Sequence, residues 1–287
     1  MARRRPATEG KSKEMPEAPD LEVIKEFLTP RLVGERVTSV RILKPSVLRP
    51  LAGDFEADLP GRTFESLQRR GKMLVFGLSG DRAIALHMML TGLLQYADPG
   101  DRVVKKTCFV MGLSSGAELR YLDEKQMGMA YYATTEQLAD IPRLAAGVPD
   151  VLDPMSLSEL KVRLRPFRGE IKGILTRGQM VAGIGNAYAD EILFDAKIYP
   201  FKKKKNLSDD ELDRLRVAMP NVIRSAIEQV RERTGDRIHQ KIRDFLIVHR
   251  RGGEPCPVCG GNITEVTANR RITSYCRSCQ PGMLISN

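Results

Sequence analysis

Apolar positions change their period twice along the chain. In the segment MPEAPDLEVIKEFL that starts at Met15, Leu21, Ile24, Phe27 and Leu28 fall on one helical face, and Pro19 stands where a first helical residue belongs. Short β-rich runs follow at 37–43, 73–78, 83–90, 107–113 and 118–122. They are separated by Gly, Pro or Asp turns such as Asp98-Pro99-Gly100. One helix followed by many short strands points to a sandwich or a barrel.

From Thr135 to Pro154 no period is visible, and Pro142, Gly147, Pro149 and Pro154 suit an interdomain linker. Helical patterning then takes over. Ser156 with Glu159 forms a capping box ahead of Leu157, Leu160 and Leu164. Ser208 with Glu211 forms another ahead of Leu212, Leu215, Met219, Val222, Ile223 and Val230. Pro220 inside the second run predicts a kink or a break.

The C-terminal region changes the picture through its cysteines. Cys256-x2-Cys259 and Cys276-x2-Cys279, sixteen residues apart, have the spacing of a four-thiolate zinc site built from two tight knuckles. A pair of disulfides or a redox pair is the alternative, which the lack of a secretory pattern disfavours. Ile263, Val266, Ile272 and Tyr275 alternate weakly between the knuckles, as in a β-hairpin. Four thiolates leave no open coordination position, so one zinc ion would be structural and any chemistry would lie elsewhere. Cys108, alone in a β-rich run, reads as a core residue.

Composition bounds the class. The 287 residues include 46 Lys and Arg against 36 Asp and Glu, a net charge of +10. No apolar stretch approaches 18 residues and no repeat recurs, which argues against a membrane helix and a solenoid. The surplus divides into +3 over residues 1–14, −1 over 15–150 and +8 over 151–287. A near-neutral first half joined to a basic second half reads as two domains, the second facing an acidic partner. Residues 1–14 have neither apolar periodicity nor a signal-peptide core. They read as a disordered basic tail, or as an extension upstream of a true start at Met15.

In the second half, Gly183-Ile184-Gly185-Asn186 runs into AYADEILF. The glycines permit a tight turn and close approach of backbone N–H groups to an anion, and Asn186 can cap the helix or donate to a phosphate. Alone, such a turn is more often plain helix initiation.

Taken together, Met15-Pro16-Glu17 opening a helix, Lys72 in RRGKMLVF, the HMMLTG run from His87, GIGNAYADEILFDAKIYP and a finger carrying RRITSYCRSCQ resemble the formamidopyrimidine-DNA glycosylase and endonuclease VIII family, in order from Met15 onward. The resemblance implies an α+β multidomain fold: a β-sandwich with a leading helix (15–135), a linker (136–154), a helical domain (155–245) whose helix-two-turns-helix module spans roughly 171–195, and a zinc finger (246–287). It also implies a cytoplasmic, nucleoid-associated monomer that excises oxidised bases from double-stranded DNA.

In that family a proline, N-terminal once the initiator methionine is lost, attacks the sugar C1′ and forms an iminium that drives strand cleavage. An α-amine of pKa about 8 is roughly a quarter neutral at pH 7.5, against about 0.1% for a lysine near 10.4. The resemblance makes Pro16 the nucleophile and Glu17 the acid that protonates the sugar oxygen. Lys72 becomes the lysine near the lesion, and Lys172, Asn186 and Arg271 the residues that grip phosphates around the flipped nucleotide. Asp20 stands where a second glutamate is usual. Without the resemblance, Lys72 and Lys172 read as solvated charges, Glu17 as a helix-start charge and His87 as structural.

Two departures bear on specificity. The family fills the gap left by the flipped base with Met, Arg and Phe, where this chain has Leu90, Lys125 and Met127. The segment between Arg233 and Phe245 is shorter than the lesion-capping loop of the 8-oxoguanine-specific branch. A damage range broader than 8-oxoguanine is expected. A retained tail would leave Pro16 an amide nitrogen and make the chain a non-catalytic damaged-DNA-binding protein. A zinc-finger RNA-binding protein would share the basic half but not the Pro-Glu start.

Overall fold

The computed structural model describes residues 15–142, 144, 147–268 and 271–282. The basic segment 1–14 lies outside them. Helix α1 (Ala18–Leu32) starts one residue earlier than expected and takes Pro19 into its first turn, where a backbone N–H has no helical partner to lose. Among the described residues, no helix is long and apolar enough to cross a membrane.

Two sheets follow. One has the order β2 (Leu48–Pro50), β9 (Met129–Ala133), β5 (Arg82–His87), β4 (Met73–Leu78), β3 (Phe64–Arg70), antiparallel except for the β2–β9 pair. The other is wholly antiparallel, in the order β1 (Val37–Ile42), β7 (Thr107–Leu113), β8 (Glu118–Asp123), β6 (Gly92–Ala97). A one-turn helix, α2 (Phe55–Asp58), lies between β2 and β3. Phe64, Phe76, Ile84 and Leu86 of the first sheet share a core with Phe109, Met111, Leu119 and Tyr121 of the second, which makes the pair a sandwich.

The run expected as one strand over 83–90 ends at His87. Met88 to Thr91 instead turn back into β6, with Met89 at φ 51°. The segment expected as a periodless linker is packed. Leu138, Ile141 and Leu144 are buried with Met73, Val75, Ala83 and Ala85 of β4 and β5, in a cluster separate from the sandwich core.

The helical half contains α3 (Leu157–Leu164), α4 (Ile171–Thr176), α5 (Asn186–Asp195) and α6 (Asp209–Thr234), and both expected capping boxes are formed. Of the kink or break expected at Pro220, the break does not occur: helix α6 is continuous through it. A proline in a helix interior costs about 3 kcal/mol, whereas each buried Leu, Ile or Val contributes about 1.5–3 kcal/mol. Leu212 and Leu215 before the proline, and Ile223, Ile227 and Val230 after it, are all buried, so packing on both sides outweighs the lost hydrogen bond. The hairpin of β10 (Ile263–Ala268) and β11 (Arg271–Cys276) follows, Ile263 opposite Cys276.

Helix α1 belongs to both halves. Leu21, Ile24, Leu28 and Leu32 are buried in the sandwich core, while Ala18 and Val23 are buried with α4, α5 and α6. Its N-terminus, carrying Pro16 and Glu17, is thereby set against the start of α5.

Candidate active site

Glu17 is buried, and its carboxylate takes the place of an anion in the glycine turn. It accepts N–H hydrogen bonds from Gly185 (2.6 Å), Ala187 (2.9 Å) and Tyr188 (3.3 Å), capping α5 from a residue 168 positions away. The N–H groups of the GIGN turn, expected to face a phosphate, are therefore taken by this carboxylate. Gly185, not Asn186, is the N-cap, and a Cβ there would lie 2.3 Å from Glu17 Cδ. Gly183, at φ 100°, passes its carbonyl to the Ala18 N–H at 3.0 Å.

Burial pushes the Glu17 carboxyl above the ordinary carboxylate range. The Arg243 charge, then Lys72 and the Ala187 N–H, pull it down, and Asp20 pushes it up. Such a carboxyl keeps its proton to higher pH than an exposed one, as a general acid requires.

Pro16 is buried at the wall of a cavity of about 10 Å3, lined also by Asp20, Met88, Gly92, Gln240 and Lys241. That space scarcely holds one water. Lys72, in the turn between β3 and β4, is half-buried and donates to the Ile184 carbonyl at 3.0 Å.

Lys172 and Asn186 converge on β11. Lys172 is 7% exposed; its ammonium donates to the Ile272 carbonyl (2.7 Å) and Thr273 Oγ1 (2.9 Å) and pairs with Asp190 (2.6 Å). Asn186 Nδ2 donates to the same Ile272 carbonyl at 2.8 Å, while its buried Oδ1 has no partner. Arg271 is exposed at the start of β11. Lys172 is thus no solvated surface charge: it ties the hairpin to α4 and α5.

Leu90, Lys125 and Met127 sit on neighbouring loops. Leu90 lies in the β5–β6 turn; Lys125 and Met127, both exposed, lie between β8 and β9. Buried Asp123 binds the loops together, accepting from the Thr91 hydroxyl, the Lys125 N–H (3.2 Å) and the Gly128 N–H (2.7 Å). His87 is buried and accepts the Met89 N–H at 3.3 Å, a structural place, and Cys108 is wholly buried in the sandwich core.

Several members of the site have no signal in the sequence. Arg243 forms a two-pronged pair with Asp20 and also reaches Tyr188. Glu191 accepts the N–H groups of Ile247, Val248 and His249, and Asp190 pairs with His249 Nδ1 at 2.7 Å. The residues AYADE contain these two acids, but nothing in their spacing names partners more than fifty positions away.

The four finger sulfurs lie within 4.8 Å of one another, with Cys256–Cys279 at 3.8 Å and Cys259–Cys276 at 3.4 Å. A tetrahedron with zinc–sulfur arms of about 2.3 Å has edges of about 3.8 Å, so the donors fit. Hydrogen bonds, first from the Gly261 backbone and then from neighbouring sulfurs, pull Cys259 down to about 7, while burial and the other sulfurs push Cys279 up to about 12. Four crowded thiols ionise together only around a cation.

Residues 15–130 match the family model of the formamidopyrimidine-DNA glycosylase N-terminal domain, and residues 147–244 match that of its H2TH domain. The chain is 36% identical to the formamidopyrimidine-DNA glycosylase of Symbiobacterium thermophilum over 274 residues, covering 93% of this chain and 90% of the relative. It is also 36% identical to that of Desulforamulus reducens over 279 residues, covering 93% and 99%. The Lactococcus lactis enzyme in complex with FAPY-dG-containing DNA superposes with a TM-score of 0.84 at 26% identity, covering 93% of this chain and all of that one. The same enzyme bound to DNA containing an abasic site gives 0.83.

Proposed function

The chain belongs to the formamidopyrimidine-DNA glycosylase family, and on that premise we propose that Pro16 is the nucleophile of a base-excision repair glycosylase and Glu17 its acid. Double-stranded DNA carrying oxidised or abasic lesions is the substrate. The observation that carries the assignment is the Glu17 carboxyl, buried beside Pro16 with its proton affinity raised and its oxygens aimed by the start of α5.

With Pro16 as the first residue, its neutral secondary amine attacks C1′ of the flipped nucleotide. The C1′–base bond breaks, and the base leaves with that electron pair and a proton. The amine gives up its own proton, Glu17 protonates the sugar ring oxygen, and opening of the ring leaves an iminium between Pro16 and C1′. Loss of a C2′ proton then expels the 3′ phosphate, which is the lyase step. Arg271, Lys172 and Asn186 would hold the phosphates, with Lys172 exchanging a protein contact for one of them. Leu90, Lys125 and Met127 would fill the vacated stack. Cys256, Cys259, Cys276 and Cys279 would hold one zinc ion that supplies no chemistry beyond fixing the hairpin. Among the departures, a Met127 wedge and a short segment after α6 favour formamidopyrimidines or oxidised pyrimidines alongside 8-oxoguanine, and a cell interior where chromosomal DNA is reached is the expected location.

The test is intact mass of the natively expressed protein together with borohydride trapping on abasic-site DNA. The expected result is a chain that begins at Pro16 and traps through that residue. Efficient trapping through another residue, in a chain that keeps residues 1–14, would overturn the assignment. Strong selectivity for 8-oxoguanine opposite cytosine on matched duplexes would overturn the lesion range.

A further inference from the structure

We propose that Arg243 is a positioning residue for excision, one that holds the Pro16–Glu17 segment through Asp20 and places a cation beside it. The inference rests on the assignment of Pro16 and Glu17 above.

Arg243 lies after α6, yet its side chain, 9% exposed, ends inside the site. Its guanidinium grips Asp20 with both Nη atoms, Nη1 to Oδ1 at 2.6 Å and Nη2 to Oδ2. Asp20 Oδ2 in turn accepts the N–H of Glu17 at 2.8 Å, the peptide nitrogen that joins Glu17 to Pro16. On its other side the guanidinium lies 5.1 Å from the Tyr188 ring, and Tyr188 is one of the three residues whose N–H groups hold the Glu17 carboxylate. One side chain therefore touches both supports of Glu17, α1 through Asp20 and α5 through Tyr188. A neighbour on the same segment, Lys241, donates to the Leu90 carbonyl at 2.8 Å, so movement of this segment reaches the wedge as well.

A buried ion pair adds little net stability, because desolvation offsets attraction. Its geometry here is better explained by what it fixes. The fork sets a planar carboxylate in one orientation, which a lysine point charge does not do. The groups facing Glu17 are Asp20 from α1, Lys72 from the β3–β4 turn, Lys172 from α4, Tyr188 from α5 and Arg243 from the segment after α6. Removing the Arg243 cation leaves Asp20 uncompensated. Both changes favour protonation of the Glu17 carboxyl and of the neighbouring Pro16 amine, so both limbs of a bell-shaped pH–rate profile move to higher pH.

The experiment measures single-turnover excision of a formamidopyrimidine lesion against pH for the wild type, Arg243→Gln, Arg243→Lys and Glu17→Gln. Binding to a duplex with a tetrahydrofuran abasic analogue serves as the folding control. Arg243→Gln is expected to lose roughly tenfold to a hundredfold in rate, the scale of a small misplacement of reacting groups, with its pH optimum displaced upward. Arg243→Lys is expected to keep the wild-type optimum, because the charge remains, while staying several-fold slow because the fork is gone.

A wild-type rate and optimum in Arg243→Gln would overturn the proposal. So would equal slowing of both variants with the optimum unmoved, which is what a merely structural role predicts. If Arg243→Gln does not fold, Asp20→Asn decides instead: with the anion gone and the Arg243 cation kept, the optimum is expected to move to lower pH, and an unmoved optimum overturns the proposal. Full activity of Glu17→Gln would instead remove the assignment on which the proposal rests.

Discussion

Glu17 caps a helix to which it is not joined, and this double use makes the site sensitive to a single methyl group. In Gly185→Ala the new Cβ would sit 2.3 Å from Glu17 Cδ and 2.5 Å from Oε1, and the carboxyl would have to leave its donors. The variant is expected to fold with a wild-type circular dichroism spectrum and to lose about a hundredfold in excision rate, while binding the tetrahydrofuran duplex within a few-fold of the wild type. Equal excision rates would show that the α5 cap does not aim the acid. At this scale the sequence is legible in type but not in partnership. Pro16, Glu17, Lys72 and the glycines stand out as motif members, and GIGN shows the N–H groups that can face an anion but suggests a phosphate where the structure has a carboxylate. That the anion is Glu17 depends on a contact across 168 residues, and the Arg243–Asp20 pair spans 223. No local periodicity encodes such closures.

Among the elements, those with strong local rules were readable. The capping boxes at Ser156 and Ser208, the strands at 73–78 and 107–113 and the hairpin between the cysteine pairs all formed where patterning puts them. Strands β2, β3, β6 and β9 were not. FESLQRR in β3 carries three charges, and LRP in β2 is three residues ending in proline, so neither alternates cleanly. Their pairing comes from neighbours in the sheet, which override weak local preference. The finger hairpin has a local rule and a distant duty, since Lys172 and Asn186 both bond the Ile272 carbonyl. Chelating a metal ion held by the four cysteines, or Cys259→Ser, should release β11, free Lys172 and misplace Arg271. A hydrogen bond to a charged group is worth about 1.5–3 kcal/mol, so affinity for the tetrahydrofuran duplex should fall on the order of tenfold to a hundredfold. Far-UV signal from the sandwich should persist. Binding unaffected by chelation would separate the hairpin from the DNA grip.

For the whole molecule, the question is what keeps a near-neutral sandwich in register with a basic helical half when the acid sits on one and its donors on the other. Helix α1 does part of this by sharing both cores, and Arg69 adds a buried ion-pair junction. Its guanidinium, 5% exposed, pairs with both oxygens of Asp150 at 2.5 and 2.6 Å, with Glu22 at 2.7 Å and with the Gly71 carbonyl at 3.0 Å. Asp150 in turn forms a bridge with Ala182, beside the glycine turn. Arg69→Ala would leave two carboxylates beside each other with no buried cation, and breaking such a pair costs about 3–5 kcal/mol. That figure is a large part of the ordinary 5–15 kcal/mol of a folded domain, so a clear fall in the urea midpoint is expected. The loss should not be uniform in function. The phosphate contacts proposed for Lys172, Asn186 and Arg271 lie in the basic half, whereas the proposed roles of Pro16 and Glu17 need α1 and α5 in register, so the excision rate should fall further than the affinity for an abasic analogue. A variant that loses rate and affinity in equal proportion would show that Arg69 does not set the register of the two halves.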